Sequence, residues 1–254
     1  MPARIKFELS AGVAHVTLSY PKRFNAMSRA MWRDLRSVFE RIQGMADVRC
    51  VLVAGDGAHF CAGGDISEYA SFRFHEATLR EFHEVEVWGA LSAMLACDVP
   101  MVAQIDGNCM GAGVEIASCC DIRLAAESAR FGAPIARLGF PMAPREAALV
   151  AREAGLATAR QMLLEAAVFS APDMLQRGFL SRVVADVDVS AVAQATVRRI
   201  CELAPQAARL NKQTLRALRP DQLPGLLATA YDYADSTEQR EGISAFLEKR
   251  PPRF

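Results

Sequence analysis

The sequence has 254 residues, and its 29 lysine and arginine residues balance 29 aspartate and glutamate residues. An apolar content of 52% excludes an intrinsically disordered chain, and the absence of a basic excess argues against a nucleic-acid-binding protein. An apolar chain with no net charge is expected to be poorly soluble as a monomer. We therefore expect the apolar surplus to line a subunit interface, a ligand pocket, or both.

The seven cysteines are an odd number without a CxxC pair, and the four histidines form no metal-binding motif. We therefore predict reduced, buried thiols and no structural metal. The first residues, MPARIKFELS, carry charges where a signal peptide has its apolar core, and no apolar run reaches about 18 residues. These features predict a cytoplasmic protein with no membrane partner.

The first elements along the chain are a hairpin, a helix and a buried strand. Ile5–Leu9 and Val13–Leu18 alternate in hydropathy around a short glycine-containing turn, which predicts a β-hairpin. Ser28 is a suitable N-cap for an amphipathic helix that ends at Gly44. Cys50–Ala54 is apolar throughout, as in a strand with both faces covered.

The rest of the chain becomes increasingly helical. A helix is predicted over 75–97, followed by a buried strand at Met101–Ile105, a short helix over 112–119 and a strand at Ile122–Ala126. Beyond Arg145 the main strand candidate is Arg182–Ala185, and helices are predicted over 189–203, 205–218 and 224–248. Strands alternating with helices and then a helical tail predict an α/β protein.

Two loops of small residues follow buried strands. Ala62-Gly63-Gly64-Asp65 comes after the first of these strands, and Gly111-Ala112-Gly113 comes after the second. Small side chains let a ligand reach backbone N–H groups, and two N–H groups aimed at one oxygen form an oxyanion hole. The simpler alternative is that both loops are tight turns that need glycine.

Glu115 is the candidate acid or base beside the second loop. It lies three residues after Ala112, so both share one face of the predicted helix, and helical side chains lean back toward the N-terminus. Its neighbours are apolar, and burial raises the pKa of a carboxyl toward the range useful for proton transfer. The alternative is a first-turn glutamate that balances the helix dipole.

Four segments resemble the enoyl-CoA hydratase/isomerase (crotonase) superfamily. Phe60-Cys61-Ala62-Gly63-Gly64-Asp65-Ile66 is similar to its FxAGaDl signature, and the other matches are Asn25-Ala26-Met27, residues 107–121 and residues 241–250. The matches occur in order over nearly the whole chain. The resemblance implies a crotonase-like spiral of ββα units over residues 1–187 and a C-terminal helical trimerisation region over residues 188–254.

The resemblance also implies an activity and a site. The family acts on acyl-CoA thioesters without a further cofactor and assembles as a homotrimer or a dimer of trimers. Its oxyanion hole maps onto the N–H groups of Ala62 and Ala112, and its first catalytic glutamate maps onto Glu115. Substrate-binding positions implied by the family are Ala62, Gly63, Gly64, Asp65, Ile66, Gly111 and Ala112, with Lys22, Arg23, Phe246 and Lys249 as candidates for contacting the CoA moiety, the last two in a neighbouring subunit.

One position departs from the family pattern. Family hydratases have a second glutamate where this chain has Ile135, and isoleucine can neither remove nor deliver a proton. We predict that Ile135 is instead a substrate-binding residue that makes the acyl pocket more apolar. The stretch from Gly139 to Arg145 also lacks the usual glycines, so we expect a remodelled pocket floor. Replacement groups in reach are His83, Glu81, Glu84, Glu86, Arg137 and Arg145, although we expect these on solvated surfaces.

The prediction is therefore an acyl-CoA-processing enzyme, most plausibly of enoyl-CoA hydratase type, with slow hydration or a different substrate. Two alternatives stay open. One is an acyl-CoA-binding protein with little or no turnover, favoured by Ile135. The other is a different reaction of the family, such as isomerisation, decarboxylation, dehalogenation or C–C bond cleavage, because such activities depend on a few pocket residues.

Overall fold

Six strands form the main sheet of the computed structural model, which describes residues 2–218, 231–234 and 236–254. Its order is β1-β2-β3-β4-β6-β9, with only the β1–β2 pair antiparallel. The predicted hairpin and buried strands are confirmed, with bounds β1 Arg4–Ser10, β2 Val13–Ser19, β3 Cys50–Gly55, β4 Met101–Ile105, β6 Ile122–Ala126 and β9 Arg182–Val184.

A second, smaller sheet has three strands. Its strands are β5 Asn108–Met110, β7 Arg130–Gly132 and β8 Val168–Ser170, in the order β5-β7-β8. Each unit places its first strand in the main sheet and its second in the small one, since β4 pairs β6 and β5 pairs β7, both in parallel. A parallel bridge between Cys61 and Cys109 adds the unit that starts with β3. The chain thus winds as a spiral of ββα units.

Helix α1, Arg29–Gln43, shows why the predicted boundaries hold. The Ser28 hydroxyl accepts a hydrogen bond from the Met31 N–H at 3.2 Å, and Gly44 follows the last turn. Its buried stripe includes Trp32, Leu35 and Phe39. This stripe packs against the sheet and against α3, Trp88–Ala96.

The helix predicted over 75–97 differs in its middle. It consists of α2, Glu76–Glu81, a π-helical segment Phe82–Val87, and α3. A π-helix bonds residue i to i+5 and so carries one extra residue per turn, which changes the direction of the side chains that follow. Hydropathy periodicity does not reveal such a segment.

The remaining helices cover the sheet and form the C-terminal region. They are α4 Ala112–Ser118, α5 Pro144–Ala154, α6 Leu156–Leu164, α7 Ala171–Gln176, α8 Val189–Cys201, α9 Pro205–Arg216 and α10 Thr237–Leu247. Helix α8 lays Ala193, Val197 and Ile200 on the sheet face opposite α1. The first helix after residue 187 thus packs on the core, and the division at residues 187 and 188 stays a prediction.

The described part of the helix predicted over 224–248 is a turn followed by a helix. Residues 231–234 form a turn, and the Ser236 hydroxyl caps α10 by accepting from the Gln239 N–H at 3.2 Å. Residues 224–230 and 235 of that prediction lie outside the described residues. The cap fixes the start of α10, because a serine in extended backbone opens a new helix.

Two further predictions concern burial and span length. Six of the seven cysteines are buried and all seven are free thiols. In the part of the chain that the structure describes, no helix is long and apolar enough to cross a membrane.

Candidate active site

The loop from Phe60 to Gly64 is held between two neighbouring segments. On one side the Cys61 N–H donates to Asn108 O, and the Met110 N–H donates to Cys61 O, both at 2.9 Å. On the other side the Met27 N–H donates to Gly63 O at 2.8 Å. The loop backbone is therefore fixed on both edges, as a preorganised binding site requires.

Asn25 secures the segment that borders this loop. Its side chain is fully buried, and its amide Nδ2 donates to Asp56 O at 3.0 Å and His59 O at 2.6 Å. Its Oδ1 accepts from the Tyr20 N–H at 2.9 Å. All the polar atoms of this amide are thus used internally, so Asn25 supports the site rather than contacting a ligand.

The Ala62 N–H is not free, contrary to the predicted oxyanion role. It donates to Phe24 O at 3.0 Å. Among the described residues, no acceptor takes the N–H of Gly64 or of Ala112, and both residues line one cavity. Neighbouring segments accept hydrogen bonds from the N–H groups of Cys61 and Ala62. The candidate donor to a ligand in this loop is therefore the Gly64 N–H instead of the Ala62 N–H.

The surroundings favour glycine at two of these loop positions. A Cβ on Gly64 would meet the Tyr69 hydroxyl, so a larger residue there requires Tyr69 to move. Gly111 has φ of +46°, a conformation that other residues rarely adopt, and it directs the chain into the first turn of α4. The Ala112 N–H therefore lies at a helix N-terminus, where the helix dipole favours negative charge.

The cavity has a volume of about 340 Å³ and is mostly apolar. Its walls include Ala62, Gly63, Gly111, Ile66 and Ile135. The polar side chains that line it are Tyr69, Arg73, His83, Glu115, Arg137 and Glu146. A mainly apolar pocket with a few convergent titratable groups is typical of a binding or catalytic site.

Glu115 is the buried acid predicted from the sequence. It lies in the first turn of α4 with 6% of its surface exposed, and its carboxyl has no hydrogen-bond partner among the described residues. Burial raises its pKa well above the ordinary value, the nearby Glu146 carboxylate raises it further, and the Arg73 guanidinium opposes both effects. The group therefore holds its proton to higher pH than a solvated glutamate.

Glu146 is a second buried acid that the sequence analysis missed. It lies in the first turn of α5, is 3% exposed, and its Oε1 lies 2.8 Å from His83 Nδ1. A signal was present, because Glu146 shares the spacing of the buried Leu149 and Val150 and so falls on the apolar face of the helix. The pocket thus contains two carboxyl groups although Ile135 supplies neither.

Arg73 completes the polar wall. Its Nη2 lies 3.2 Å from His83 Nε2, and its guanidinium lies 4.2 Å from the centroid of the Tyr69 ring and 3.9 Å from that of Phe140. Its Nε is buried and has no partner among the described residues. Burial raises the pKa of Tyr69, so this hydroxyl keeps its proton. The rings fix the guanidinium beside His83.

Comparison with known proteins decides the family. Residues 8–254 match the family model described as enoyl-CoA hydratase/isomerase. The chain belongs to the enoyl-CoA hydratase/isomerase family. A probable enoyl-CoA hydratase of Mycobacterium tuberculosis is 32% identical over 254 residues, covering 98% of this chain and 97% of the relative. A short-chain-enoyl-CoA hydratase of Clostridium acetobutylicum is 30% identical, covering 96% and 94%.

Solved structures of this family confirm the fold. The crystal structure of an enoyl-CoA hydratase/carnithine racemase from Magnetospirillum magneticum matches with a TM-score of 0.95 and 36% identity, covering 100% of this chain and 96% of the other. Pseudomonas aeruginosa AtuE matches with a TM-score of 0.91 and 31% identity, covering 98% of each chain. The predicted crotonase-like fold is therefore correct.

Not every family position lies at the cavity of this hydratase/isomerase family member. Asp65 turns away and caps the 3-10 helix Ile66–Ser71, accepting from the Ser67 N–H at 3.1 Å. Lys22 and Arg23 lie on the 3-10 helix Pro21–Arg23 outside the cavity wall, and Arg23 Nη1 lies 3.8 Å from Asp65 Oδ1. Their predicted roles toward the CoA moiety stay predictions.

The C-terminal candidates also lie apart from the cavity of the same chain. Phe246 is 83% exposed near the end of α10, and Lys249 follows in the left-handed conformation with φ of 54°. Neither lines the cavity. Their predicted contact with the ligand of a neighbouring subunit stays a prediction.

Some of the residues expected to replace the second glutamate line the cavity, and the others lie away from it. His83 and Arg137 line the cavity, whereas the exposed Glu81 does not. Glu84 pairs with Arg145 at 3.3 Å near the surface. Glu86 is buried but binds the guanidinium groups of α1. The solvated placement expected for all six is thus wrong for His83 and Glu86, because the π-helical segment turns both inward.

Proposed function

We propose that this protein is an enoyl-CoA hydratase-type enzyme that adds water to a 2-enoyl-CoA thioester. One observation carries the proposal: a buried glutamate without a protein partner faces an apolar cavity beside two N–H groups that have no acceptor among the described residues. Two relatives, described as a probable enoyl-CoA hydratase and a short-chain-enoyl-CoA hydratase, support the same reaction class.

The proposed chemistry begins at the thioester oxygen. This oxygen accepts hydrogen bonds from the N–H groups of Gly64 and Ala112, which stabilise the negative charge that develops as the β-carbon is attacked. Glu115 acts as acid or base, since burial raises its pKa above that of a solvated glutamate and lets it hold a proton that it can deliver. The apolar walls, Ile135 included, limit access of bulk water and strengthen these interactions.

Binding of the CoA moiety and oligomerisation belong to the same proposal. Lys22 and Arg23 offer cations for the CoA phosphates, and Phe246 and Lys249 reach a ligand across a subunit contact. The proposed assembly is a homotrimer or a dimer of trimers in the cytoplasm, with coenzyme A entering only as part of the substrate. Exposed apolar side chains support an interface in the C-terminal region, such as Leu215, Phe246 and Leu247, each more than two-thirds exposed.

A second candidate is an acyl-CoA-binding protein without turnover, which Ile135 favours because it removes one proton carrier from the cavity wall. Glu115 argues against this candidate, since burial of an unpaired carboxyl is costly and serves no evident purpose in binding alone. Isomerase, decarboxylase and C–C hydrolase activities are tested as further outcomes with a substrate panel.

The test follows the loss of the conjugated thioester absorbance of a short 2-enoyl-CoA. We expect Glu115→Gln to lower kcat by about 10²–10⁴-fold, the range for loss of a general acid or base. Glu76→Gln is the matched control, because this acid is exposed and pairs with Arg80 on the same helix. Equal rates for wild type and Glu115→Gln would show that Glu115 has no catalytic role. Tight acyl-CoA binding without product across the panel would select the binding protein.

A further inference from the structure

Glu146 combines burial, access to the cavity and a fixed orientation. Its side chain is 4% exposed, it lines the same cavity as Glu115, and His83 is its hydrogen-bonding partner at 2.8 Å. The second oxygen, Oε2, has no hydrogen-bond partner among the described residues. A buried carboxylate with only one of its oxygens bound is costly to maintain for stability alone.

The tautomer of His83 follows from its two neighbours. Arg73 Nη2 lies 3.2 Å from His83 Nε2, and a guanidinium can only donate, so Nε2 accepts. Nδ1 then carries the proton and donates to Glu146 Oε1 at 2.8 Å. In this arrangement the imidazole is neutral, and the chain from Arg73 through His83 orients the Glu146 carboxylate.

The two carboxyl groups are close enough to influence each other. The charge of Glu146 is the second-largest cause of the raised pKa of Glu115, after burial. Burial and the neighbouring charge both favour the protonated form of Glu115, so an acid lies at the same cavity as the second carboxyl. Such a pair offers one acid and one base at the same time.

We propose that Glu146 is the second proton-transfer residue of this site, replacing the acid that Ile135 cannot provide, and that His83 and Arg73 are its positioning residues. The inference rests on the proposed function and deepens it. It assigns the task to helix α5, eleven residues further along the chain than the family position at Ile135.

The proton balance closes within the pair. One carboxylate removes a proton from water while the water oxygen bonds to the β-carbon, and the electrons of the double bond move toward the thioester oxygen. The other carboxylic acid delivers its proton to the α-carbon. The pair starts and ends with one proton, so water is the only reactant added to the substrate.

The first experiment compares hydration by wild type, Glu146→Gln and Glu84→Gln, with substrate affinity and melting temperature measured for each. Glu84 is the matched control, since it lies on the same π-helical segment as His83 but pairs with Arg145 near the surface. We expect Glu146→Gln to lower kcat at least 100-fold, with KM within threefold of wild type, and to lose one limb of the bell-shaped pH profile. A rate within threefold of wild type, or an unchanged pH profile, would overturn the inference.

A rescue separates catalysis from folding. Ile135 lines the same cavity, so Ile135→Glu placed in the Glu146→Gln background returns a carboxyl to the site. We expect at least a tenfold recovery of kcat. A folded double variant that stays at the level of Glu146→Gln would contradict the view that the lost function is proton transfer.

Two variants of His83 test the positioning role. His83→Asn keeps a donor at the place of Nδ1, whereas His83→Leu removes it. We expect His83→Leu to lose about tenfold in kcat and to change the pH profile of kcat, and His83→Asn to recover most of both. Identical profiles for the two variants would remove His83 from the proposal.

The last measurement keeps failure of this inference apart from failure of the proposed function. Exchange of the α-protons of a saturated acyl-CoA with D₂O requires only enolate formation and one base. A wild type inactive in both exchange and hydration refutes the proposed function itself. A wild type that hydrates while Glu146→Gln hydrates equally well refutes only the role of Glu146.

Discussion

The two faces of the segment Phe82–Val87 treat a buried glutamate in opposite ways. On one face Glu86 accepts from Arg29 at 2.8 and 2.7 Å and from Arg33 at 2.9 Å, so its charge is fully compensated. On the other face His83 contributes a single hydrogen bond to Glu146. We call the Glu86 side the closed face, because guanidinium groups bind both oxygens of its carboxylate. We call the Glu146 side the open face, because Glu146 lines a cavity and its Oε2 has no hydrogen-bond partner among the described residues.

The difference teaches how to separate a structural acid from a reactive one. Hydrogen bonding to Glu86 raises the pKa of Arg29, as expected for an ion pair that keeps both charges. The pKa of Glu115, next to Glu146, is raised instead, and its carboxyl stays without a partner among the described residues. Burial alone does not distinguish the two cases; the identity of the partner does.

The largest expected effect on stability is at the closed face. Glu86→Gln leaves two guanidinium groups without their counter-charge and should cost about 2–3 kcal/mol, below the usual range for a broken buried pair because Arg29 and Arg33 are partly hydrated. Chemical denaturation measures this loss, and kcat per folded molecule should change little. For Glu146→Gln we expect the opposite result: kcat falls, and the free energy of unfolding stays nearly unchanged. The contrast between the two faces is contradicted if both variants lower the free energy of unfolding and neither lowers kcat.

A smaller effect of the opposite sign is expected at the open face. The folded-state pKa of Glu115 lies above its unfolded value of about 4.3, so the folded protein is progressively destabilised as pH rises above that value. Glu115→Gln removes this penalty and should raise the free energy of unfolding by about 1–2 kcal/mol at pH 8. Melting temperatures recorded from pH 5 to pH 8 check the sign, with the exposed Glu76→Gln as control. A gain that shrinks with rising pH would contradict the assigned direction.

The smallest effect concerns the helix that supplies the closed face. Ser28→Ala removes the N-cap of α1, which carries Arg29 and Arg33, and should cost about 1 kcal/mol. Thermal unfolding measures the loss, and Ser28→Asp, which retains a capping oxygen, should recover most of it. Turnover should be unchanged, because α1 holds the ion pair and not the second carboxyl. A large loss of kcat would link the two faces more tightly than proposed.

Sequence patterns predicted the parts of the fold that depend on local order. Apolar runs such as Cys50–Ala54 and the cap at Ser28 specify their elements within a few residues, so the main sheet and α1 were predictable. Strands of three residues, such as Val168–Ser170, are too short for periodicity to show. The loops around Gly64 and Ala112 were predictable as a pair, but the bond that occupies the Ala62 N–H depends on the neighbouring Phe24.

The burial of Glu146 could have been predicted from its spacing with Leu149 and Val150, but its place in the site could not, for a similar reason. Glu146 and His83 lie 63 residues apart in sequence, and no local pattern links them. In isolation Glu146 resembles any acid in the first turn of a helix, where the dipole favours it. Its role in the site becomes visible only in the folded structure, where α5 and the π-helical segment contact each other at the cavity.

The π-helical segment also constrains how this chain can vary in length. Because it accommodates one residue more than an α-helical turn, deleting a single residue between Phe82 and Val87 would restore regular α-helix and rotate everything before it by roughly 100° about the axis. Substitutions there change one contact, whereas an insertion or deletion changes which way a whole helix faces. The spacing of this segment is therefore as much a part of the site as the identity of its residues.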